Sequence, residues 1–231
     1  MAELCLGLGL LSLLIIVVRV FPSKSQKGEA GGFGAKVLSS LLFCAAGLAA
    51  VYGKELTLPR AAMLGAFVLA FMGDVFLGLG PFSLEKHKNF LFIMGSVPFL
   101  LAQLLYIAVL LSLAPFDWRL LPLAFVLPLM LLIFKWRGVL AYLCENTIPI
   151  ICYGAILGAM VVAAANALLA GHSGGSLALC AGLLFALSDT SLFLYNFGSD
   201  RVRAHKRLLT ASVMLPYYAA QALFALVLTK I

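Results

Sequence analysis

Hydrophobic residues in this chain run in long unbroken stretches instead of alternating with polar ones. Leu4–Val20, Gly34–Tyr52, Ala61–Phe82, Phe90–Leu113, Leu120–Phe134, Asn146–Ala170, Ser176–Phe197 and Lys206–Leu228 form eight such stretches. Most approach the roughly 20 residues that an α-helix needs to cross about 30 Å of hydrocarbon. Helices are the expected element, because inside a bilayer every backbone N–H and C=O must find its partner within the chain. Leu120–Phe134 is the shortest of the eight. The connections are brief and polar, such as "SLEKHKN" and "GSDRVRAH"; the longest, "FPSKSQKGEAGG", has the Gly/Ser/Lys composition of a flexible linker. The pattern predicts an all-α fold, a polytopic transmembrane bundle of about eight helices. The same pattern predicts one integral membrane domain over residues 1–231, with no soluble domain expected.

Composition strengthens this reading. The chain is 64% hydrophobic and only 11% charged, with mean hydropathy +1.11, where soluble domains average about 45–50% apolar and about 25% charged. The first stretch has no basic leading segment, carries Glu3 instead, and shows no small-residue cleavage site, so it reads as a membrane helix and not a signal peptide. The five cysteines are scattered in or beside apolar stretches without a CxxC pair or a Cys/His cluster, and read as small apolar fillers. His87, His172 and His205 fall in polar connections. No metal and no cofactor is expected. With no GxSxG, HExxH or P-loop pattern, serine hydrolysis, zinc proteolysis and nucleotide chemistry lack support.

Charge is distributed unequally between the two sides. The connections after stretches one, three, five and seven hold eleven of the sixteen lysines and arginines, and the opposite side holds Lys54, Arg60, Arg119 and Lys230. By the positive-inside rule both termini face away from the cytoplasm. The net charge of +7 belongs with anionic headgroups at the inner surface, and no nucleic-acid partner is needed to explain it. A bacterial inner membrane and an endoplasmic reticulum both fit, and the oligomeric state is left open.

Two acids interrupt the apolar pattern. Asp74 lies 13 residues after Ala61 and Asp189 lies 13 after Ser176, each about 20 Å down its helix. The surroundings are also alike: "GDVFLGLGPF" resembles "SDTSLFLYNF", and "LLAQLLYIAVLL" resembles "YAAQALFALVLT". Both acids descend from the outer side and both glutamines, Gln103 and Gln221, return, as a parallel four-plus-four duplication with halves 1–115 and 116–231 requires. No matched proline or glycine break is expected in the two halves. Lys36 opens the second helix at the inner end, Tyr106, Tyr153, Tyr217 and Tyr218 fall near the midplane, and Asn146 and Asn196 sit toward the inner boundary. Gly73, Gly78 and Gly80 permit close helix approach. A carboxylate facing lipid costs several kcal/mol, so both acids face the bundle interior or a wet cavity, either as functional groups or as structural partners of Lys36 and the tyrosines.

The residues that carry a family likeness are Lys36, Gly73-Asp74 with Leu77, the series Gly95, Phe99, Gln103 and Tyr106, Ser188-Asp189 running to Asn196-Phe197, and Tyr217-Tyr218 with Gln221. Together they resemble the YhhN family of eight-helix membrane proteins, whose characterised members are lysoplasmalogenases. Two positions depart from it. The family often has histidine where this chain has Gln103, and proline often follows the lysine where this chain has Val37. Gln103 cannot shuttle a proton at neutral pH, so a histidine base at that position is ruled out here.

The resemblance implies hydrolysis of the vinyl ether of an alkenyl lysophospholipid to a fatty aldehyde and a glycerophospho-alcohol, with the lysolipid and water as partners. Such a reaction needs a protonated acid, a negative group near the oxocarbenium ion and a held water, the paired-carboxylate logic of glycosidases. Asp74 and Asp189 are the implied catalytic pair, with their division of labour open. Lys36, Gln103, Tyr106, Tyr153, Asn196, Tyr217, Tyr218 and Gln221 are the implied substrate-binding residues. Lys36 either keeps one carboxylate ionised or meets the lipid phosphate. Arg201, Arg203 and Arg207 serve either headgroup recruitment or ordinary anchoring. Two other classes stay open: a proton-coupled transporter of small molecules or lipids, and a non-enzymatic lipid-binding membrane protein.

Overall fold

A computed structural model describes residues 2–20, 28–141 and 147–231, and all eight predicted stretches are helical there. In chain order the elements are α1 (Ala2–Val20), α2 (Gly28–Val51), α3 (Leu58–Leu79), α4 (Glu85–Ser112), α5 (Val126–Trp136), α6 (Thr147–Leu169), α7 (Gly175–Phe197), the single turn α8 (Asp200–Arg203) and α9 (Lys206–Leu228). Among the described residues there is no β-strand. Asn146 and Cys144 lie outside the described residues.

Two boundaries move relative to the sequence expectation. The helix α2 begins at Gly28, taking in the end of the expected linker, so Lys36 is two turns inside the helix and does not open it. The short fifth stretch gains length by beginning as a 3₁₀ helix, Trp118–Phe125, before becoming α5. At about 2.0 Å per 3₁₀ residue and about 1.5 Å per α residue, Trp118–Trp136 extends about 32 Å, enough to cross the hydrocarbon. Pro122 within the 3₁₀ segment and Pro128 in the first turn of α5 suit that wound-up start.

The helices pack in two similar sets. In the first, α1 lies on α2, α2 on α3 and α3 on α4; in the second, α5 lies on α6, α6 on α7 and α7 on α9. The sets are joined by α4 against α6, α2 against α9 and α1 against α9. Aromatic rings fill the centre: Tyr106 and Phe224 stack at 4.2 Å with planes 11° apart, and Phe99 meets Tyr217 edge-on at 5.6 Å. Outside, Leu10, Leu14 and Val18 of α1 and Leu129 of α5 are exposed, as lipid-facing positions should be. Pro98 and Pro216 lie inside α4 and α9. Each stands five residues before a glutamine, Gln103 or Gln221, so the two halves do carry a matched proline, contrary to expectation.

Without a hydrophobic driving force between helices in lipid, small residues and hydrogen bonds hold the bundle. Ser12 and Ser39, both fully buried, bind each other's backbones: Ser12 donates to the Ser39 carbonyl at 2.9 Å and Ser39 to the Ser12 carbonyl at 3.1 Å. Asn166 likewise ties the segment after α4 to α6, accepting from the Asp117 N–H at 2.9 Å and donating to the Pro115 carbonyl at 3.2 Å. Gly73 and Gly78 do permit close contact, with Phe99 and Phe33, whereas nothing approaches Gly80. A Cβ on Gly73 would sit 2.6 Å from the Phe99 ring. That ring is wedged against Phe185 and Tyr217 and has nowhere to turn. Gly73→Ala should therefore lower stability by about 1–3 kcal/mol, measured as thermal unfolding in detergent. An unchanged midpoint would mean that α3 and α4 can separate at this point.

Candidate active site

Asp74 falls on the buried face of α3 because Met63, Phe67 and Ala70, at helical spacing before it, seat that face in the core. Its side chain is 2% exposed. Lys36 Nζ lies 3.0 Å from Oδ1. Oδ2 accepts hydrogen bonds from Ser40 at 2.7 Å and Tyr217 at 2.8 Å, and the Tyr218 hydroxyl stands 3.5 Å away. Tyr218 also sits 3.1 Å from Ser40 Oγ, which closes the cluster. A cation on one oxygen and hydroxyl donors on the other are what an ionised carboxylate requires.

Asp189, on α7, is buried in a different company. Its Oδ2 accepts from Tyr153 at 2.7 Å and from Gln103 at 3.0 Å. The other amide hydrogen of Gln103 goes to the Tyr153 hydroxyl at 2.8 Å, which ties the two donors of Oδ2 to each other. Among the described residues, Oδ1 accepts no hydrogen bond and no cation pairs with the group. The two acids are therefore unequal: one fully neutralised and saturated, the other held by neutral donors on one oxygen only.

One cavity of about 650 Å³ reaches both acids. Of the residues proposed from the sequence, Lys36, Asp74, Asp189, Asn196, Tyr217 and Tyr218 line it. Gln103 and Tyr153 stand behind Asp189 and do not line the cavity. Tyr106 and Gln221 are set deeper, where Tyr106 donates to Gln221 Oε1 at 2.7 Å. Those four reach the cavity only through other side chains. The rest of the wall is largely apolar, with Leu77, Leu91, Phe92, Leu192 and Met214. Of the loop arginines, Arg203 pairs with Asp200 at 2.8 Å. Among the described residues, no three His, Cys, Asp or Glu side chains gather closely enough to hold a metal ion.

Two contributors escape a linear reading. Ser40 touches Asp74, and its signal was its spacing: one helical turn after Lys36, hence on the same face. Lys206 lines the cavity from the first turn of α9, but in the sequence it is one of several loop cations.

An eight-span helical bundle, with two buried acids on one partly apolar cavity, is the architecture of a multi-pass integral membrane protein. The chain belongs to the YhhN family, whose family model matches residues 9–228, nearly its whole length. No curated protein and no solved structure matches it.

Proposed function

We propose that this protein hydrolyses the vinyl ether bond of alkenyl lysophospholipids, with Asp189 as the general acid and Asp74 as the ionised partner. The observation that carries the reading is the unequal environment of two carboxyl groups on one cavity wall. Two acids on one wall in unequal surroundings are the usual basis for dividing acid and base work.

The chemistry follows from that inequality. Asp189, protonated on Oδ1, gives its proton to the β-carbon of the vinyl ether, and the double bond supplies the electron pair. The positive charge that develops on the former α-carbon and ether oxygen is stabilised by the Asp74 carboxylate. Water adds to that carbon, and its surplus proton restores an acid to the site. The resulting hemiacetal then breaks its carbon–oxygen bond to release aldehyde and alcohol. One water is consumed, and no oxidant or reductant is required. Tyr153 and Gln103 hold Asp189 from behind through Oδ2, leaving Oδ1 for the substrate, and Lys36 keeps Asp74 charged.

The two halves supply this pair in matching ways, which supports the reading of a parallel duplication. Each acid takes one set of partners from the preceding helix of its own half, Lys36 and Ser40 for Asp74 and Tyr153 for Asp189. Each takes another from the final helix of the other half, Tyr217 for Asp74 and Gln103 for Asp189. Residues in equal register, Phe99 with Tyr217 and Tyr106 with Phe224, meet at the centre.

The test is an assay of the purified protein against alkenyl, alkyl and acyl lysophospholipids in parallel, with aldehyde and free fatty acid both measured. Aldehyde should appear from the alkenyl lipid alone. Fatty acid from the acyl lipid would redirect the reading to an esterase. Proton-driven uptake into proteoliposomes with no product would redirect it to transport.

A further inference from the structure

Lys36 places a primary amine inside the bundle, two turns along α2. It lines the cavity of about 650 Å³ and also a second one of about 400 Å³. Its place is fixed from both ends. The Lys36 carbonyl accepts from Ser40 at 2.9 Å and from Tyr218 at 3.2 Å, and the ammonium stands 3.0 Å from Asp74 Oδ1. Between the two the stem passes Gly78, where a Cβ would lie 3.8 Å from Lys36 Cδ. The side chain is 17% exposed, so the ammonium is paired and still open to whatever enters the cavity. Lys206, which also lines the wall, is exposed.

An amine beside a carboxylate is a nucleophile with its own base in place. In the proposed hydrolysis Lys36 balances charge, and its nitrogen takes no part in bond making. The pairing decides which electrophile that nitrogen can take. Acylation would turn the ammonium into a neutral amide and leave the buried Asp74 carboxylate with hydroxyl donors alone. Condensation with an aldehyde ends instead in an iminium, which keeps the positive charge and one N–H for Oδ1. The buried pair therefore disfavours acyl donors and admits aldehydes. A cavity of about 650 Å³ falls within the roughly 300–1,000 Å³ of small-molecule sites, and its largely apolar wall suits an aldehyde carried on a hydrocarbon chain.

We infer that Lys36 captures long-chain aldehydes as a protonated Schiff base, with Asp74 as its counter-ion. Asp74 Oδ1 takes a proton from the ammonium, and the freed electron pair on nitrogen attacks the aldehyde carbon. The former carbonyl oxygen takes a second proton from that nitrogen, which gives a carbinolamine. Asp74 then returns its proton to the hydroxyl, the C–O bond breaks and water leaves as nitrogen closes the C=N bond. The net charge is the same before and after, and neither an oxidant nor a reductant takes part. Water in the cavity reverses the steps. Capture of an added aldehyde is independent of the proposed hydrolysis, whereas capture of the cavity's own product, slowing its release, rests on that reading.

The experiment uses no alkenyl lipid. Dodecanal is added to the purified protein in detergent with cyanoborohydride, which fixes an iminium as a secondary amine, and peptide mass spectrometry reads each lysine. Lys36 should carry at least about tenfold more dodecyl adduct than any exposed lysine, Lys206 included. Lys36→Arg keeps a cation for Asp74 but cannot form the iminium, so the dominant adduct should vanish while thermal unfolding stays close to wild type. The hydroxysuccinimide ester of dodecanoic acid, an acyl donor with the same chain, should mark exposed lysines and spare Lys36. Adduct spread evenly over the lysines, or Lys36 acylated by the ester as readily as Lys206, would overturn the inference. Adduct on Lys36 in a protein that releases no aldehyde from alkenyl lipid would leave capture standing and remove the hydrolysis. Aldehyde release with no adduct on Lys36 would do the reverse.

Discussion

Asp189→Asn should reduce aldehyde release by about 100- to 10 000-fold, the range expected when a positioned general acid is removed, with the fold intact. The amide oxygen of asparagine can take the place of Oδ2 and keep both hydrogen bonds, from Tyr153 at 2.7 Å and from Gln103 at 3.0 Å. Its NH₂ then occupies the Oδ1 position facing the cavity. An amide N–H is far too weak an acid to protonate carbon, so chemistry fails where packing does not. Thermal unfolding and retention of alkyl lysophospholipid binding check the fold, and single-turnover aldehyde release checks the chemistry. Activity close to wild type in a folded Asp189→Asn protein would sink the assignment of Asp189 as acid. Asp74→Asn should also be inactive, for a different reason: the cation loses its counter-charge.

Lys36→Met should be the most destabilising single change near the site, at about 3–5 kcal/mol, because it strands a buried charge. Asp74 is 2% exposed and its cation is Lys36 at 3.0 Å. The hydroxyls of Ser40 and Tyr217 remain, but dipoles alone do not neutralise a carboxylate in a membrane interior. Adding Asp74→Asn to Lys36→Met should restore most of the loss, since the double variant buries only neutral groups that can still accept from Ser40 and Tyr217. Stability should thus return while activity does not. The cycle also tests the charge assignment. If Lys36→Met leaves the unfolding midpoint unchanged, Asp74 is already neutral, and the two acids exchange parts in the proposed mechanism.

Gln103 shows how the surroundings of Asp189 are built. A histidine at this position would offer a titratable group beside Asp189, whereas glutamine offers two fixed N–H donors, to Tyr153 at 2.8 Å and to Asp189 at 3.0 Å. In this chain the position holds the Asp189 carboxyl by hydrogen bonding and has no proton to exchange at neutral pH.

How much of this was legible in the chain depended on whether the signal was local. Eight spans, the membrane class and the suspicion attached to Asp74 and Asp189 follow from sequence alone, because hydrocarbon imposes a long apolar run on every crossing and penalises each exception. The likeness of the two acid segments is also a linear signal. The start of α2 was misjudged because glycines weaken a helix without forbidding it, and the 3₁₀ opening before α5 left no periodic trace. Tyr106 and Gln221 looked equivalent to Tyr217 by depth, yet the first two pair with each other in the core while Tyr217 meets Asp74. Depth is a one-dimensional coordinate; which face a side chain occupies, and which helix stands opposite, is fixed only when the helices pack. The unequal company of the two acids was therefore decided by tertiary structure. Lys36 reaches Asp74 across α2 and α3, and Gln103 and Tyr153 reach Asp189 from α4 and α6, through contacts spanning 36 to 86 positions of sequence. A chain read in order shows two similar aspartates, and only the packed bundle gives one a cation and the other neutral donors alone.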